Sequence, residues 1–194
     1  MSTGRMFLAA LIGAVVVFLW SFVEHTFLPT AGMGVQPLPN EAVIVPTLRS
    51  NLPKRGIYHF PPIDMNDRSE AAEKAYAEKL STGPQGIIAF DPNGSDKNFF
   101  PRRLALEFVS NLAAALLLAA VVAKFGGGAI NGALIGAGFG LFAWLSIDVS
   151  YWNWYHFAGP YVIATLIEQG VGGLLGGLTI GLVIGRRRTA AVVP

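Results

Sequence analysis

Cysteine is absent from the 194 residues of this chain. Its absence excludes disulfide frameworks, zinc sites with cysteine ligands, Fe–S clusters and thiol nucleophiles. It also excludes haem attached covalently through a C-x-x-C-H motif. Any metal or cofactor site in this protein must therefore be built without thiolate ligands.

Charge is also scarce, because Asp, Glu, Lys and Arg make up only 13% of the residues. A soluble domain carries about 25%. Hydrophobic residues account for 53%, and the mean hydropathy is +0.50. This composition excludes an ordinary soluble enzyme and an intrinsically disordered chain. The formal net charge of +2 is too small to indicate a nucleic-acid-binding surface. The sequence is typical of an integral membrane protein.

Four long apolar segments are present, and each approaches the roughly 20 residues that a membrane-spanning helix needs. They cover residues 6–23, 104–123, 125–147 and 161–185. The first is interpreted as an uncleaved signal anchor (residues 1–24), because it is long for a signal peptide and no A-x-A-like site follows it promptly. The predicted fold class is an integral membrane α-helical protein, a four-helix transmembrane bundle with a small α+β extracytoplasmic cap between the first two helices.

Basic residues near the predicted helix ends indicate an orientation. Arg5, Lys124 and the arginines at 186–188 fall on one side if the chain crosses four times. Arg102 and Arg103 fall on the other side, but they close a long translocated loop, where charge has less influence. We therefore expect a multi-pass protein of the bacterial inner (plasma) membrane, with both termini cytoplasmic. Residues 104–194 then hold helices two to four and a short basic cytoplasmic tail.

The loop at residues 25–103 is expected to be periplasmic or extracellular. Two similar segments, residues 56–62 and 86–92, predict short strands that end at proline. A helix is predicted between them over residues 66–80, capped by Asn66 or Asp67. A second helix, interrupted by proline, is predicted over residues 40–51. A cap of this size is marginal on its own, so we expect support from the membrane helices or from another protein.

Small residues recur every four positions along the third and fourth predicted helices. The glycines of these two stripes are Gly132, Gly136 and Gly140, then Gly173, Gly177 and Gly181. Such stripes allow helix backbones to approach closely, so we interpret them as packing surfaces. The functional alternative is a glycine-lined pore.

Ionisable residues inside a membrane are costly and indicate candidate functional sites. The intramembrane polar set is Glu168, Asn111, Glu107, Thr165 and Gln169. Glu168 and Asn111 lie at similar depths, each about 12 Å along its helix, so we expect them to face each other, with Glu107 nearby. The uses considered for Glu168 are a proton relay and a site for a basic or hydroxylated ligand. The structural alternative is interhelical hydrogen bonding by Glu168, with the other acids wetted at helix ends.

Further polar residues are expected at the outer interface, namely Glu24, His25, Asp148 and His156. The aromatic residues of segment 151–157, together with Trp20 and Phe22, are expected at headgroup depth. No cofactor is predicted. The alternatives considered are noncovalent haem, chlorin or a metal ion bound through His25 or His156, or a carboxylate–histidine metal site drawn from these interface residues and Glu107.

No catalytic residues are predicted, because no known catalytic motif is present. Ser21, for example, has no histidine and acid placed convincingly for a triad. We therefore expect a non-catalytic accessory or scaffolding subunit of a larger membrane complex, with the lipid bilayer and other membrane subunits as partners. The first alternative is a small transporter or proton-coupled channel that uses Glu168, Asn111 and Glu107. The second is a membrane enzyme or cofactor-carrying subunit with a site at the outer interface.

Overall fold

A computed structural model describes residues 2–185 of the chain. The described residues form two compact units. The first unit contains residues 2–35, 97–152 and 157–185, and the second contains residues 36–96 and 153–156. The basic tail predicted at residues 186–188 lies outside the described residues.

The elements follow one another in an order that confirms the predicted fold class. The helices are α1 (Thr3–Phe27), α2 (Glu41–Asn51), α3 (Glu70–Thr82), α4 (Phe99–Lys124), α5 (Ala129–Ala143), α6 (Val149–Tyr155) and α7 (Gly159–Ile184). The strands are β1 (Gly56–Phe60) and β2 (Gly86–Phe90). Four continuous helices are long and apolar enough to cross a membrane: Thr3–Phe27, Phe99–Lys124, Ala129–Tyr155 and Gly159–Ile184. The protein is therefore a multi-pass membrane protein.

The third spanning helix differs from its predicted bounds at both ends. It begins at Ala129 and not at residue 125, because three consecutive glycines (residues 126–128) take positive φ values and turn the chain. It continues to Tyr155 through a π-helical turn at Trp144–Asp148, which joins α5 to α6. Most of the predicted aromatic segment is therefore helical.

The core of the first unit is built from small side chains. Its buried residues are Ala9, Ala10, Ala14, Ala115, Leu118, Ala119, Val122, Ile180 and Ile184, on α1, α4 and α7. Larger apolar side chains such as Leu19, Leu117 and Leu182 are more than half exposed, as expected for helix faces that meet lipid. Helices α1, α4 and α7 can approach closely because alanine leaves room between the backbones.

Glycines bring α5 and α7 into backbone contact. A Cβ atom added at Gly132 would overlap the carbonyl oxygen of Gly177, and one added at Gly136 would overlap that of Gly173. Gly140 meets the backbone of Gln169 in the same way. The two glycine stripes of the sequence are thus used against each other within one chain.

The second unit contains a two-stranded antiparallel sheet in which Tyr58 of β1 pairs with Ile88 of β2. Helices α2 and α3 contribute no buried residue. The predicted cap of α3 is wrong, because Ser69 caps the helix with its hydroxyl on the backbone N–H of Ala72. Asp67 instead accepts a hydrogen bond from the Ser69 backbone N–H (3.0 Å) in the preceding turn, which delays the helix start.

Candidate intramembrane polar site

Glu168 is held between α7 and α1 by two hydrogen bonds from consecutive residues. The Ser21 hydroxyl donates to Oε1 of Glu168 (3.0 Å), and the Trp20 indole N–H donates to the backbone carbonyl of Glu168 (3.0 Å). The Trp20 ring also packs beside Gly172, where a Cβ atom would lie 3.1 Å from the ring. Because α1 supplies both donors, the carboxylate has a fixed position.

Glu24 and His25 extend this arrangement toward the end of α1. The Nδ1 atom of His25 lies 3.0 Å from Oε2 of Glu24 and 3.8 Å from Oε1 of Glu168. It also lies 3.0 Å from the backbone oxygen of Ser21. Glu24 is only 2% exposed, whereas the His25 side chain is 59% exposed. One imidazole edge thus faces two carboxylates, and the ligand atoms of the three side chains all lie within 4.8 Å of one another.

A cavity of about 470 Å³ lies beside Glu168. Its polar lining includes Ser21, Glu107, Asn111, Glu168 and Gln169, and most of the remaining wall is apolar. Asn111 and Glu168 therefore face one cavity, together with Glu107. The Glu168 carboxylate is bonded to Ser21, and Nδ2 of Asn111 is buried with no hydrogen-bond partner in the described part of the chain.

A second, larger cavity shares three of these residues. It measures about 760 Å³ and is lined by Ser21, Glu107 and Glu168 together with His25. Its other walls are mainly apolar and include Phe18, Leu19, Phe22, Phe100 and Leu104. Glu168 is consequently reachable from two cavities.

Asp148 and Gln169 form a separate pair between the π-helical turn and α7. The Gln169 side-chain amide donates to Oδ2 of Asp148 (2.7 Å), while Oε1 of Gln169 is buried with no partner in the described residues. Asp148 itself is 5% exposed. Thr165 is buried, but its hydroxyl donates to the carbonyl of Val162 on its own helix. Thr165 thus contributes packing and no free polar group.

The structural alternative in which the other acids are wetted is wrong for two of them. Glu24 and Asp148 are buried and not wetted at helix ends, because each carboxylate has a side-chain partner within the first unit. Trp20 lies between α1 and α7, where the small residue Gly172 leaves space for its ring, and its headgroup depth stays a prediction. His156 has φ 60° and belongs to the second unit, so its role as a cofactor ligand stays a prediction.

Ser21 is the residue whose role sequence reasoning missed. The available signal was spacing, because Ser21, Glu24 and His25 follow one another at i, i+3 and i+4 on one helix face. The arrangement is not a nucleophilic triad. Such a triad uses both imidazole nitrogens, one toward serine and one toward the acid. Here Nδ1 of His25 faces both Glu24 and Ser21, whose hydroxyl donates to Glu168.

Fold and site together define a multi-pass membrane protein with a polar, carboxylate-bearing site inside its helical bundle. No protein-family model, no curated protein and no solved structure matches this chain. Its function is therefore argued from the site.

Proposed function

We propose that this membrane protein binds a small cationic solute beside Glu168 and passes it along the bundle. The observation that carries the proposal is the cavity of about 470 Å³, which pairs a positioned carboxylate with the unpartnered amide of Asn111. A volume of this size is typical of small-molecule sites, which combine apolar walls with a few convergent polar groups. The carboxylate favours a positive group, and the amide N–H favours an acceptor oxygen on the same solute.

Two features support movement of the solute through the bundle and not only its binding. Ser21, Glu107 and Glu168 line both cavities, so a solute at Glu168 has space on either cavity's side of the carboxylate to move into. Intramembrane carboxylates that line cavities mark substrate and ion pathways in membrane proteins. This proposal develops the transporter alternative derived from the sequence.

An accessory role in a larger complex is the second candidate, and the second unit favours it. Helices α2 and α3 contribute no buried residue, and Val43, Ile57 and Met65 are each more than 60% exposed. A unit of this size that buries so little of its own surface is marginal in stability alone, and a partner can supply the missing contacts. Purification of the full chain in mild detergent should then recover a stoichiometric membrane partner, whereas a stable monomer that transports solute alone would contradict this role.

We also propose the bacterial inner membrane as the location, with both termini cytoplasmic and residues 25–103 outside. The distribution of Arg5 and Lys124 supports this orientation. With α1 and α4 both crossing, these two basic residues would lie on the same side of the bilayer, as the proposed orientation requires.

The transport proposal is tested with the full chain in proteoliposomes. Uptake of radiolabelled methylammonium, a small cationic probe, should exceed that of empty liposomes, and Glu168→Gln should reduce it about tenfold or more because the negative charge is lost. Asn111→Leu should leave this uptake nearly unchanged, because methylammonium has no acceptor oxygen for the amide of Asn111. The control is Ser146→Ala, since the Ser146 hydroxyl bonds only to carbonyls of its own helix. Wild-type uptake equal to empty liposomes, or a folded Glu168→Gln variant with undiminished uptake, would contradict the proposal.

A further inference from the structure

We infer that Glu24, His25 and Glu168 form a binding site for a divalent transition-metal ion of the Zn²⁺ type. This inference rests on the proposed function and deepens it, because it names the class of cation that the bundle receives. It draws on two residues, Glu24 and His25, that the smaller cavity does not include.

The spacing of the donor atoms suits one ion. Zinc binds nitrogen and oxygen ligands at about 2.0–2.2 Å, so two ligands of the same ion lie about 3.0–3.6 Å apart. Nδ1 of His25 lies 3.0 Å from Oε2 of Glu24 and 3.8 Å from Oε1 of Glu168. A movement of a few tenths of an ångström therefore brings Nδ1 of His25 within range of both carboxylates, whose ligand atoms lie within 4.8 Å of each other. The exposed His25 side chain can make that movement without disturbing the core.

Charge supplies the second, independent argument. Two carboxyl groups face one imidazole, so with both of them ionised even a protonated His25 provides one positive charge against two negative ones. Glu24 is 2% exposed, and a buried charge is costly unless it is paired or coordinates a metal. A divalent ion balances both carboxylates and replaces the proton on Nδ1.

Neighbouring groups already orient the proposed ligands. The Ser21 hydroxyl fixes Oε1 of Glu168, and the Trp20 indole fixes the backbone at the same residue. Such outer hydrogen bonds hold the ligands in place before the metal binds, so less conformational entropy is lost on binding. Their removal costs about 10–100-fold in metal affinity. Ser21→Ala should therefore weaken metal binding within that range although the serine is not a ligand.

The ligand set also indicates which ions are favoured and how they are held. Imidazole nitrogen favours Zn²⁺, Co²⁺ or Fe²⁺ over Mg²⁺ and Ca²⁺, which prefer oxygen ligands alone. Three protein ligands leave a fourth position open, whereas structural zinc sites are closed by four. An open site that includes an exposed histidine suits an ion that exchanges.

The experiment titrates the metal-stripped full chain in detergent with Zn²⁺ by calorimetry and with Co²⁺ by absorption. Wild type should bind one ion, with Co²⁺ bands typical of nitrogen and oxygen ligands and no competition from excess Mg²⁺. His25→Asn and Glu24→Gln should each weaken binding at least tenfold. His156→Asn is the matched control, because asparagine tolerates the positive φ at that position.

Size-exclusion profiles and helical circular dichroism establish that each variant is folded. If Glu24→Gln does not fold because Glu24 is buried, His25→Asn at the exposed histidine still tests metal binding. Absence of Zn²⁺ binding in wild type, or equal binding by wild type and His25→Asn, would overturn the metal site.

Uptake assays separate this inference from the proposed function. Methylammonium uptake that depends on Glu168, without Zn²⁺ binding, would retain the transport proposal and overturn the metal site. Entry of Zn²⁺ is detected by a zinc-sensitive dye trapped in the proteoliposomes. If the protein binds Zn²⁺ but neither Zn²⁺ nor methylammonium enters, the result would establish a resident metal site and overturn transport.

Discussion

At the scale of single residues, Trp20 sets the position of Glu168 through one hydrogen bond and one ring contact. Trp20→Phe keeps a six-membered aromatic ring but removes the five-membered ring of the indole, and with it the N–H donor and the contact with Gly172. We expect the variant to lose about 0.5–1.5 kcal/mol of unfolding free energy. Unfolding in mixed detergent–SDS micelles measures this loss. Trp152→Phe is the control, since Trp152 is 54% exposed, and an equal loss there would contradict the assigned role of Trp20.

The Asp148–Gln169 pair gives a second prediction at the same scale. Asp148→Leu leaves the Gln169 amide without its acceptor, so we expect a loss of about 1–3 kcal/mol in the same unfolding assay. The double variant with Gln169→Leu should recover most of this loss, because both polar groups are then removed. If the two single losses simply add in the double variant, the pair is not energetically coupled.

At the scale of elements, the contact between α5 and α7 depends on the absence of side chains. Gly136→Ala places a methyl group against the backbone of Gly173, so the helices must separate, at a cost of about 1–3 kcal/mol. Gly138→Ala, on the same helix, meets nothing within 4 Å. That control should be neutral or gain up to about 1 kcal/mol from helix propensity. Similar melting temperatures for the two variants would contradict the packing role.

The turn before α3 gives a prediction about pH. The Ser69 backbone N–H, with help from its hydroxyl, holds the pKa of Asp67 below its ordinary value of 3.8. Because the folded pKa is the lower one, this contribution to stability is present above pH 4 and is lost as the pH falls through the folded pKa. Carboxyl-carbon NMR of the full chain measures the titration, and Asp67→Asn identifies the signal. A midpoint at or above 3.8 would contradict the assigned hydrogen bond.

Periodicity and hydropathy were sufficient to predict the elements of this fold, but not all of their ends. The four spans and the two strands follow from apolar runs and from prolines, which act locally. The start of α3 depends on whether Asp67 or Ser69 caps the helix, and both are good capping residues. The π-helical turn at Trp144–Asp148 has no local signal, since it inserts one residue into an otherwise regular pattern.

For the candidate site, the sequence predicted the depth of the polar residues but not the helix that each one contacts. Glu168 and Asn111 could be matched by depth, because depth follows from helix rise. The rotation of α7 about its axis determines which helix the carboxylate of Glu168 meets. Because the bundle carries little charge, this rotation is determined by the packing of small residues such as Gly172 and Gly176. The bonds from Trp20 and Ser21 are therefore a product of tertiary packing.

At the scale of the whole molecule, the absence of cysteine makes the membrane orientation directly testable. Single cysteines can be placed at Ser2, Ser95 and Lys124 without a background thiol. In intact bacteria, a membrane-impermeant maleimide should label only Ser95→Cys, because four spans place this residue opposite the other two. Permeabilised cells should give all three labels.

The pattern of labels separates two questions. If only Ser2→Cys and Lys124→Cys are labelled in intact cells, the four crossings are retained and the orientation is inverted. Arg102 and Arg103 would then have more influence on the orientation than Arg5 and Lys124. Labelling of Ser95→Cys and Lys124→Cys together would mean that α4 does not cross, so Glu107 and Asn111 would not lie on a membrane-spanning helix. Since these two residues line the cavity beside Glu168, the same result would remove the basis for transport through the bundle.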